Sequence, residues 1–186
     1  MTEERSFDEL LEVHLDALWA MALRLARGDA AEAEDLMQDA AVKACRSFHD
    51  LEDESAGRSW LLTILSRTHL NRARSRRRRP ERTESALEPG ALEAALAAWN
   101  PVRTPEDEFA SRELHRRLVE ALDALPAGQR VVVWLVDVEG FRHREAARML
   151  DVAEGTVASR LYRGRRELRR LLIGEAGGRR AGGGEL

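Results

Sequence analysis

Residues that could form crosslinks or bind metals are scarce in this sequence. Cys45 is the only cysteine, which excludes an internal disulfide and any zinc site built from several cysteines. The five histidines stand far apart, and neither an H-E-x-x-H nor a C-x-x-C spacing occurs. The sequence also lacks a glycine-rich phosphate-binding loop and a nucleophile with a neighbouring base. We therefore expect no metal site, no cofactor and no enzymatic activity.

Long apolar runs are missing as well. No stretch approaches the roughly 20 apolar residues of a membrane-spanning helix. The first residues, MTEERSFDELL, lack the basic-then-apolar order of a signal peptide. These absences, with a single cysteine, predict a cytoplasmic protein that does not insert into membranes.

Neither positive nor negative charge is in large excess. The 30 lysines and arginines and the 33 aspartates and glutamates leave a formal net charge of -3. Only the distribution of charge can therefore indicate a nucleic-acid partner. Lys43 is the only lysine, so the positive charge is almost entirely guanidinium, a bias that a GC-rich genome would also produce.

Apolar residues at helical spacing predict an all-α fold of two small helical domains. Residues 7–79 contain three amphipathic segments, and Gly28 with Asp29 separates the first two. From Pro80 the periodicity fades, and prolines and acidic residues indicate a flexible linker. The predicted boundaries are a first domain at 1–80, a linker at 81–108, a second domain at 109–173 and a disordered tail at 174–186.

The segment RVVVWLVDV, residues 130–138, is ambiguous by composition. Its β-branched residues favour a buried strand. No second segment in the chain offers a strand to pair with it, so we expect a buried helix that ends at Gly140.

The segment DVAEGTVASRLYRGRRELRR, residues 151–170, predicts the second helix of a helix-turn-helix motif. At 100° per residue, one face of this helix is apolar and predicted to be buried. That face comprises Val157, Leu161, Gly164, Leu168 and Leu171. A short helix, RHREAARML, precedes it across a tight turn at Asp151, a residue type that tolerates positive φ.

Polar and cationic residues occupy the opposite side of the same helix. Because the first turns of such a helix approach base edges in the major groove, base contacts are expected from Thr156, Ser159, Arg160 and Arg163. Phosphate contacts are expected further along, from Arg165, Arg166, Arg169 and Arg170. An ordinary solvent-exposed helix face would also carry arginines, and this alternative stays open.

The C-terminal sequence resembles the promoter -35-reading domain of bacterial sigma factors of the extracytoplasmic-function group, in the sigma-70 family. The residues that carry the resemblance are LPAGQ at 125–129, EGF at 139–141 and GTVASRLYRGRRELRRLL at 155–172. The resemblance implies a winged-helix-like, four-helix sigma domain 4 that binds DNA and the flap of the second-largest polymerase subunit.

The N-terminal sequence resembles the sigma domain that binds core RNA polymerase and the promoter -10 element. AEAEDLMQDAAVKACRSF, residues 31–48, is similar to the family's polymerase-binding helix. The resemblance implies contact with the clamp helices of the largest subunit through Asp35, Gln38, Asp39 and Val42, which are spaced to share one face. A solvated acidic face is the alternative.

The arginine-rich segment RSWLLTILSRTHLNRARSRRRR, residues 58–79, resembles the helix that contacts the melted -10 strand. The implied contacts are His69, Asn71, Arg72, Arg74 and Arg76, with Arg77 to Arg79 on phosphates. The family holds a flipped base in the loop that precedes this helix, which places His49 and Asp50 near that base.

Together these resemblances imply a transcription initiation factor of a stress-responsive type. It would bind core RNA polymerase, direct it to -10 and -35 elements, melt promoter DNA and be held inactive by an anti-sigma factor. An autonomous helix-turn-helix regulator is the main alternative, and an adaptor protein with helical binding surfaces is a third.

Overall fold

A computed structural model describes residues 6–51, 53–78 and 105–174, with only the backbone described at 54, 77, 105–113 and 115. The chain divides into two compact units, which we describe separately. Regular structure in the described ranges is entirely helical, which confirms the predicted all-α fold. No helix in these ranges is long and apolar enough to cross a membrane.

Three helices build the N-terminal unit. They are α1 (Phe7–Leu25), α2 (Ala30–Arg46) and α3 (Gly57–Arg78), with single 3-10 turns at Phe48–Asp50 and Glu54–Ala56. Ser6 and Glu9 form a reciprocal capping box at the start of α1. Gly28 has a φ of 82° and ends the turn after α1, and Asp29 then caps α2 by accepting from the Glu32 amide at 3.0 Å.

The three helices pack pairwise around one apolar core. The predicted apolar faces supply many of the buried residues, which include Leu10, Leu18, Ala33, Leu36, Ala40, Ala44, Leu61 and Leu65. An aromatic cluster holds the 3-10 turn against this core, since the Phe48 ring lies 5.6 Å from Phe7 and 6.4 Å from Trp60.

Four helices lie between residues 105 and 174, the range that we call the C-terminal unit. They are α4 (Pro105–Ala124), α5 (Ala127–Val133, extended by a π-helical turn at Trp134–Val138), α6 (His143–Leu150) and α7 (Glu154–Gly174). Helix α4 begins inside the range that the sequence analysis assigned to the linker. The described part of this unit contains no β-hairpin, so it has the four-helix arrangement without a wing.

The segment at 130–138 is helical, as expected, although its last turn is wider than an α-helix. The Glu139 amide donates to the Trp134 carbonyl, five residues back, at 3.0 Å. The Trp134 indole donates in turn to the Glu139 carboxylate at 3.0 Å. Gly140, with a φ of 78°, then ends the element as predicted.

A buried arginine fixes the junction between α4 and α5. Arg130 is 2% exposed. Its guanidinium donates to the backbone carbonyls of Leu122, Asp123 and Leu125 at 3.1, 2.9 and 2.8 Å. It therefore caps the carboxyl end of α4, where the helix leaves carbonyl groups without intrahelical partners.

The turn between α6 and α7 has the conformation that the sequence analysis expected. Asp151 has a φ of 51°, in the left-handed region where glycine is common and aspartate is tolerated. The Thr156 and Val157 amides donate to the Ala153 carbonyl, and α7 begins at the next residue, Glu154.

Several sequence expectations lie outside the described residues. These are the linker between 81 and 104, the phosphate contacts of the Arg77 and Arg79 side chains, and the predicted disordered tail at 174–186 except for Gly174, which ends α7. The predicted domain boundaries within those segments stay predictions.

Candidate nucleic-acid interface

Helix α7 is seated on α5 by a narrow apolar face. Val157 and Leu161 are buried, and so is Gly164. A Cβ atom at position 164 would lie 2.9 Å from Cγ2 of Val133, so only glycine fits this approach without a shift of the neighbour. This part of the predicted buried face is confirmed, whereas Leu168 and Leu171 are half-buried.

Two of the predicted base-contacting residues lie exposed on α7. Ser159 and Arg163 are both exposed, one turn apart. The Ser159 hydroxyl donates to the Thr156 carbonyl at 3.1 Å and keeps its lone pairs available as acceptors. Thr156 is half-buried at the first turn. Ser159 and Arg163 are thus the members of the predicted set most accessible to a partner.

Arg160 lies towards α5. It is half-buried, and a Cβ atom at Gly128 would meet its guanidinium carbon at 3.6 Å. The arginine therefore covers the first turn of α5. The sequence could place Arg160 beside the outward face but could not show that the α5 backbone would lie next to it.

Two of the four predicted phosphate contacts on α7 are already ion-paired, and a third, Arg169, is exposed. Arg165 pairs with Asp137 of the π-helical turn, and its Nε donates to Oδ2 at 3.2 Å. This hydrogen bond is the main cause that raises the pKa of Arg165, so the guanidinium stays charged. Arg170 pairs with Glu167 at 2.7 Å, whereas Arg166 is exposed and forms no ion pair in this described helix.

The sequence analysis did not include Tyr162 among the DNA-contacting residues, but the structure places it on the exposed face of α7. Its side chain is 68% exposed. Helical spacing places it one turn from both Ser159 and Arg166. An exposed aromatic ring among cations offers a stacking or methyl-contacting surface. The helical projection was the signal available, because it placed Tyr162 beside the outward arginines.

In the N-terminal unit, the predicted polymerase-binding residues share one accessible face of α2. Asp35, Gln38, Asp39 and Val42 are all exposed, and Val42 is 51% exposed although it is apolar. Their buried counterparts on the opposite face are Ala33, Leu36, Ala40 and Ala44. The spacing therefore predicted correctly that these residues share an exposed face, and polymerase contact through that face stays a prediction.

His69 requires a correction. The sequence analysis assigned it to the melted -10 strand, but its side chain is only 7% exposed. It lies among buried Ser66, Thr68 and Leu70 on α3. A buried imidazole cannot touch a strand in solvent, so we remove His69 from the interface.

The remaining α3 candidates differ in their surroundings. Asn71 and Arg74 are exposed, and the Arg74 guanidinium lies 3.4 Å from the Asn71 side-chain oxygen. Arg72 instead bonds to Asp39 of α2, and Arg76 pairs with Glu32 of α2 at 2.7 Å. The structure therefore brings Arg72 together with Asp39, two residues that the sequence analysis had given to different partners.

The loop before α3 is polar and exposed at both predicted residues. His49 and Asp50 are exposed, with His49 Nε2 3.1 Å from the Asp50 carboxylate. Asp53 accepts from the Ser55 amide at 2.9 Å. Hydrogen bonds from Ser55 lower the pKa of Asp53 and keep its carboxylate ionised. No group of three or more potential metal ligands occurs among the described residues.

Comparison with known families assigns both units. The family model described as "Sigma-70 region 2" matches residues 10–79, and the one described as "Sigma-70, region 4" matches residues 115–168. These matches cover all of α2 and the helix-turn-helix as far as residue 168.

Individual relatives agree with the family models. The chain is 35% identical to the ECF RNA polymerase sigma factor SigM of Mycobacterium tuberculosis over 90% of this chain and 77% of that protein. It is also 35% identical to SigE of Mycolicibacterium smegmatis over 90% of this chain, but it spans only 62% of that longer relative.

A solved structure supports the same assignment. The sigma factor RpoE of Bartonella quintana, in complex with the anti-sigma factor NepR, is 29% identical, with a TM-score of 0.66. That match covers 90% of this chain and 96% of the other. A second structure, CnrH with the cytosolic domain of CnrY, has a TM-score of 0.55 at 24% identity and supports the fold alone. The chain belongs to the sigma-70 family of RNA polymerase sigma factors, in the extracytoplasmic-function group, whose role is transcription initiation.

Proposed function

We propose that this protein binds core RNA polymerase and directs it to promoters through their -10 and -35 elements. The observation that carries the proposal is the seating of α7. Its apolar face packs closely against α5 at Gly164. Ser159 and Arg163 remain exposed on the first half of the helix. A helix presented in this way can enter a major groove with its first turns at the base edges.

In this proposal Arg163 reads a base of the -35 element. A guanidinium can donate two hydrogen bonds to guanine O6 and N7, which discriminates by about 1–3 kcal/mol against other bases. Arg166 contacts phosphate and contributes affinity that does not depend on sequence. Arg165 and Arg170 must each leave an intramolecular carboxylate before they can bind a phosphate. The net gain in binding free energy from each of these contacts is therefore smaller.

The exposed face of α2 is the proposed polymerase surface. Asp35, Gln38 and Asp39 offer acceptors there, and Val42 offers an apolar contact. We propose that these residues contact the clamp helices of the largest subunit. The flap of the second-largest subunit is the proposed partner of the C-terminal unit.

Asn71 and Arg74 are the proposed contacts to the -10 strand, with His49 and Asp50 near a flipped base. Melting without nucleotide hydrolysis requires the unpaired strand to be bound more tightly than the duplex. A pocket for one extruded base and cations along the backbone provide that difference.

We also propose that an anti-sigma protein regulates this chain and that its promoters belong to a stress response. The complex of RpoE with NepR supports the first part, since that relative is bound by an anti-sigma factor. The second part is supported by the resemblance to stress-responsive members of the group.

Reconstituted transcription tests the proposal directly. Purified core polymerase would be combined with this protein and a library of promoter fragments, and run-off transcripts would be sequenced. We expect transcripts from a defined promoter class and co-elution of the protein with core. The absence of both promoter-specific transcripts and co-elution with core would overturn the proposal. Tight, specific duplex binding by the free protein would instead support an autonomous regulator.

A further inference from the structure

A ladder of polar contacts joins α2 and α3 in antiparallel register. Arg76 pairs with Glu32, Arg72 bonds to Asp39, and Lys43 donates to Thr68 at 3.1 Å. Each step towards the end of α2 is matched by a step towards the start of α3. The ladder therefore runs beside the exposed face that carries Asp35, Gln38 and Asp39.

Arg72 occupies the middle of this ladder and has the most extensive contacts. Its Nε and Nη2 both donate to Oδ2 of Asp39, at 2.9 and 2.6 Å. Nη2 also donates to the backbone carbonyl of Asp35 at 2.9 Å. One guanidinium thus holds a side chain and the backbone one turn earlier on the same helix.

The exposure of the two partners differs. The Arg72 side chain is 25% exposed, and that of Asp39 is 52% exposed. Arg72 engages only Oδ2, so Oδ1 of Asp39 remains available to an external donor. The Asp39 carboxylate is therefore more accessible to a partner than the Arg72 guanidinium that holds it.

We propose that Arg72 is a positioning residue for polymerase binding and not a promoter contact. It fixes the rotamer of Asp39 and the α2 turn at Asp35, so that both acceptors are already ordered when polymerase binds. Ordering a side chain before binding removes an entropic cost from association. This inference rests on the proposed function of the α2 face, and it reassigns one arginine of α3.

The chemistry of the guanidinium makes the proposal testable by a conservative substitution. Arg72→Lys keeps the positive charge, which is sufficient for a phosphate contact. A single ammonium group cannot reproduce the planar fork that reaches Asp39 with two nitrogens and Asp35 with one of them. A positioning role is therefore lost in the lysine variant, whereas a phosphate role is largely kept.

The experiment measures two affinities with the full chain. The first is the dissociation constant for core polymerase. The second is the affinity of the saturated holoenzyme for single-stranded -10 DNA, measured as a function of salt. We expect Arg72→Lys and Arg72→Gln each to weaken core binding by up to about tenfold, the size of the entropic cost of ordering one side chain on association. Holoenzyme affinity for DNA and its salt dependence should stay unchanged.

Arg74→Gln is the matched contrast, because Arg74 is exposed on the same helix and bonds within α3 only to Asn71. It should show the opposite pattern, with weaker DNA binding, a smaller salt dependence and unchanged core affinity. If Arg72→Gln instead behaves like Arg74→Gln, and Arg72→Lys restores DNA binding, the positioning role is overturned.

A double-mutant cycle separates positioning from general damage to the fold. In an Asp39→Asn background, Arg72→Gln should add little further loss of core affinity, since both changes remove the same ordered acceptor. Additive losses would overturn the proposal. If the unmodified protein fails to bind core, the proposed function itself fails. If it binds and the Arg72 variants bind equally well, only this inference fails.

Discussion

The two arginine-rich helices, α3 and α7, look alike in sequence and differ in how the fold uses them. On α3, Arg72 and Arg76 bond to acidic residues of the neighbouring α2. On α7, Arg163 and Arg166 remain exposed, Arg160 lies against the first turn of α5, and Arg165 pairs with Asp137 of the π-helical turn. The position of each arginine relative to a neighbouring carboxylate, and not its frequency in the sequence, decides whether it is available to an external partner.

The largest expected effect comes from removing the buried arginine that caps the end of α4. Arg130→Met should destabilise the C-terminal unit by at least about 3 kcal/mol. Three backbone carbonyls would lose a charged donor, and each such bond contributes about 1.5–3 kcal/mol. Hydrogen exchange of the full chain would locate the loss in 105–174. Equal protection in the variant would show that the capping is unimportant.

A slightly smaller effect is expected at the contact between α7 and α5. Gly164→Val should cost about 1–3 kcal/mol by overpacking against Val133, with loss of DNA binding that follows from the displaced helix. Ala158→Val is the control, since Ala158 is exposed on the same helix. Chemical denaturation measures both variants, and equal stability would contradict the proposed seating.

The turn before α7 offers a stabilising change. Asp151→Gly should stabilise the C-terminal unit by up to about 1 kcal/mol, because glycine adopts a φ of 51° without the steric cost that aspartate bears. A higher melting temperature would confirm that the turn is strained. A lower one would show that the Asp151 side chain contributes more than its backbone costs.

The smallest effect concerns a surface pair on α7. A hydrogen bond from Arg170 lowers the pKa of Glu167, because it favours the charged carboxylate. The contribution of this group to stability is therefore present above its unfolded pKa and is lost as the pH falls through its folded pKa. A carbon-13 NMR titration should show a depressed pKa that returns towards the ordinary value in Arg170→Ala. An unchanged pKa would argue against this pair in solution.

Periodicity predicted the features that depend on one helix at a time. It gave the buried face of α7 at Val157, Leu161 and Gly164, and the exposed face of α2. The positive φ at Asp151 followed from the turn between two helices. These features are local, because a helix fixes which residues share a face.

Features that depend on a second element could not be predicted in this way. Arg165 and Asp137 are 28 residues apart, and nothing in either segment indicates the other. The inward position of Arg160 depends on where the first turn of α5 lies. His69 is buried by packing that the helical pattern of α3 alone did not show.

The most direct test of the central claim is promoter selection by the reconstituted holoenzyme, comparing Arg163→Ala with Arg166→Ala. The account predicts two enriched elements for the unmodified protein. Arg163→Ala should relax one position of the -35 element, while Arg166→Ala should weaken binding across sequences and reduce its salt dependence. Identical effects of the two substitutions, or no enriched -35 element, would contradict the claim that α7 divides base reading from phosphate contact.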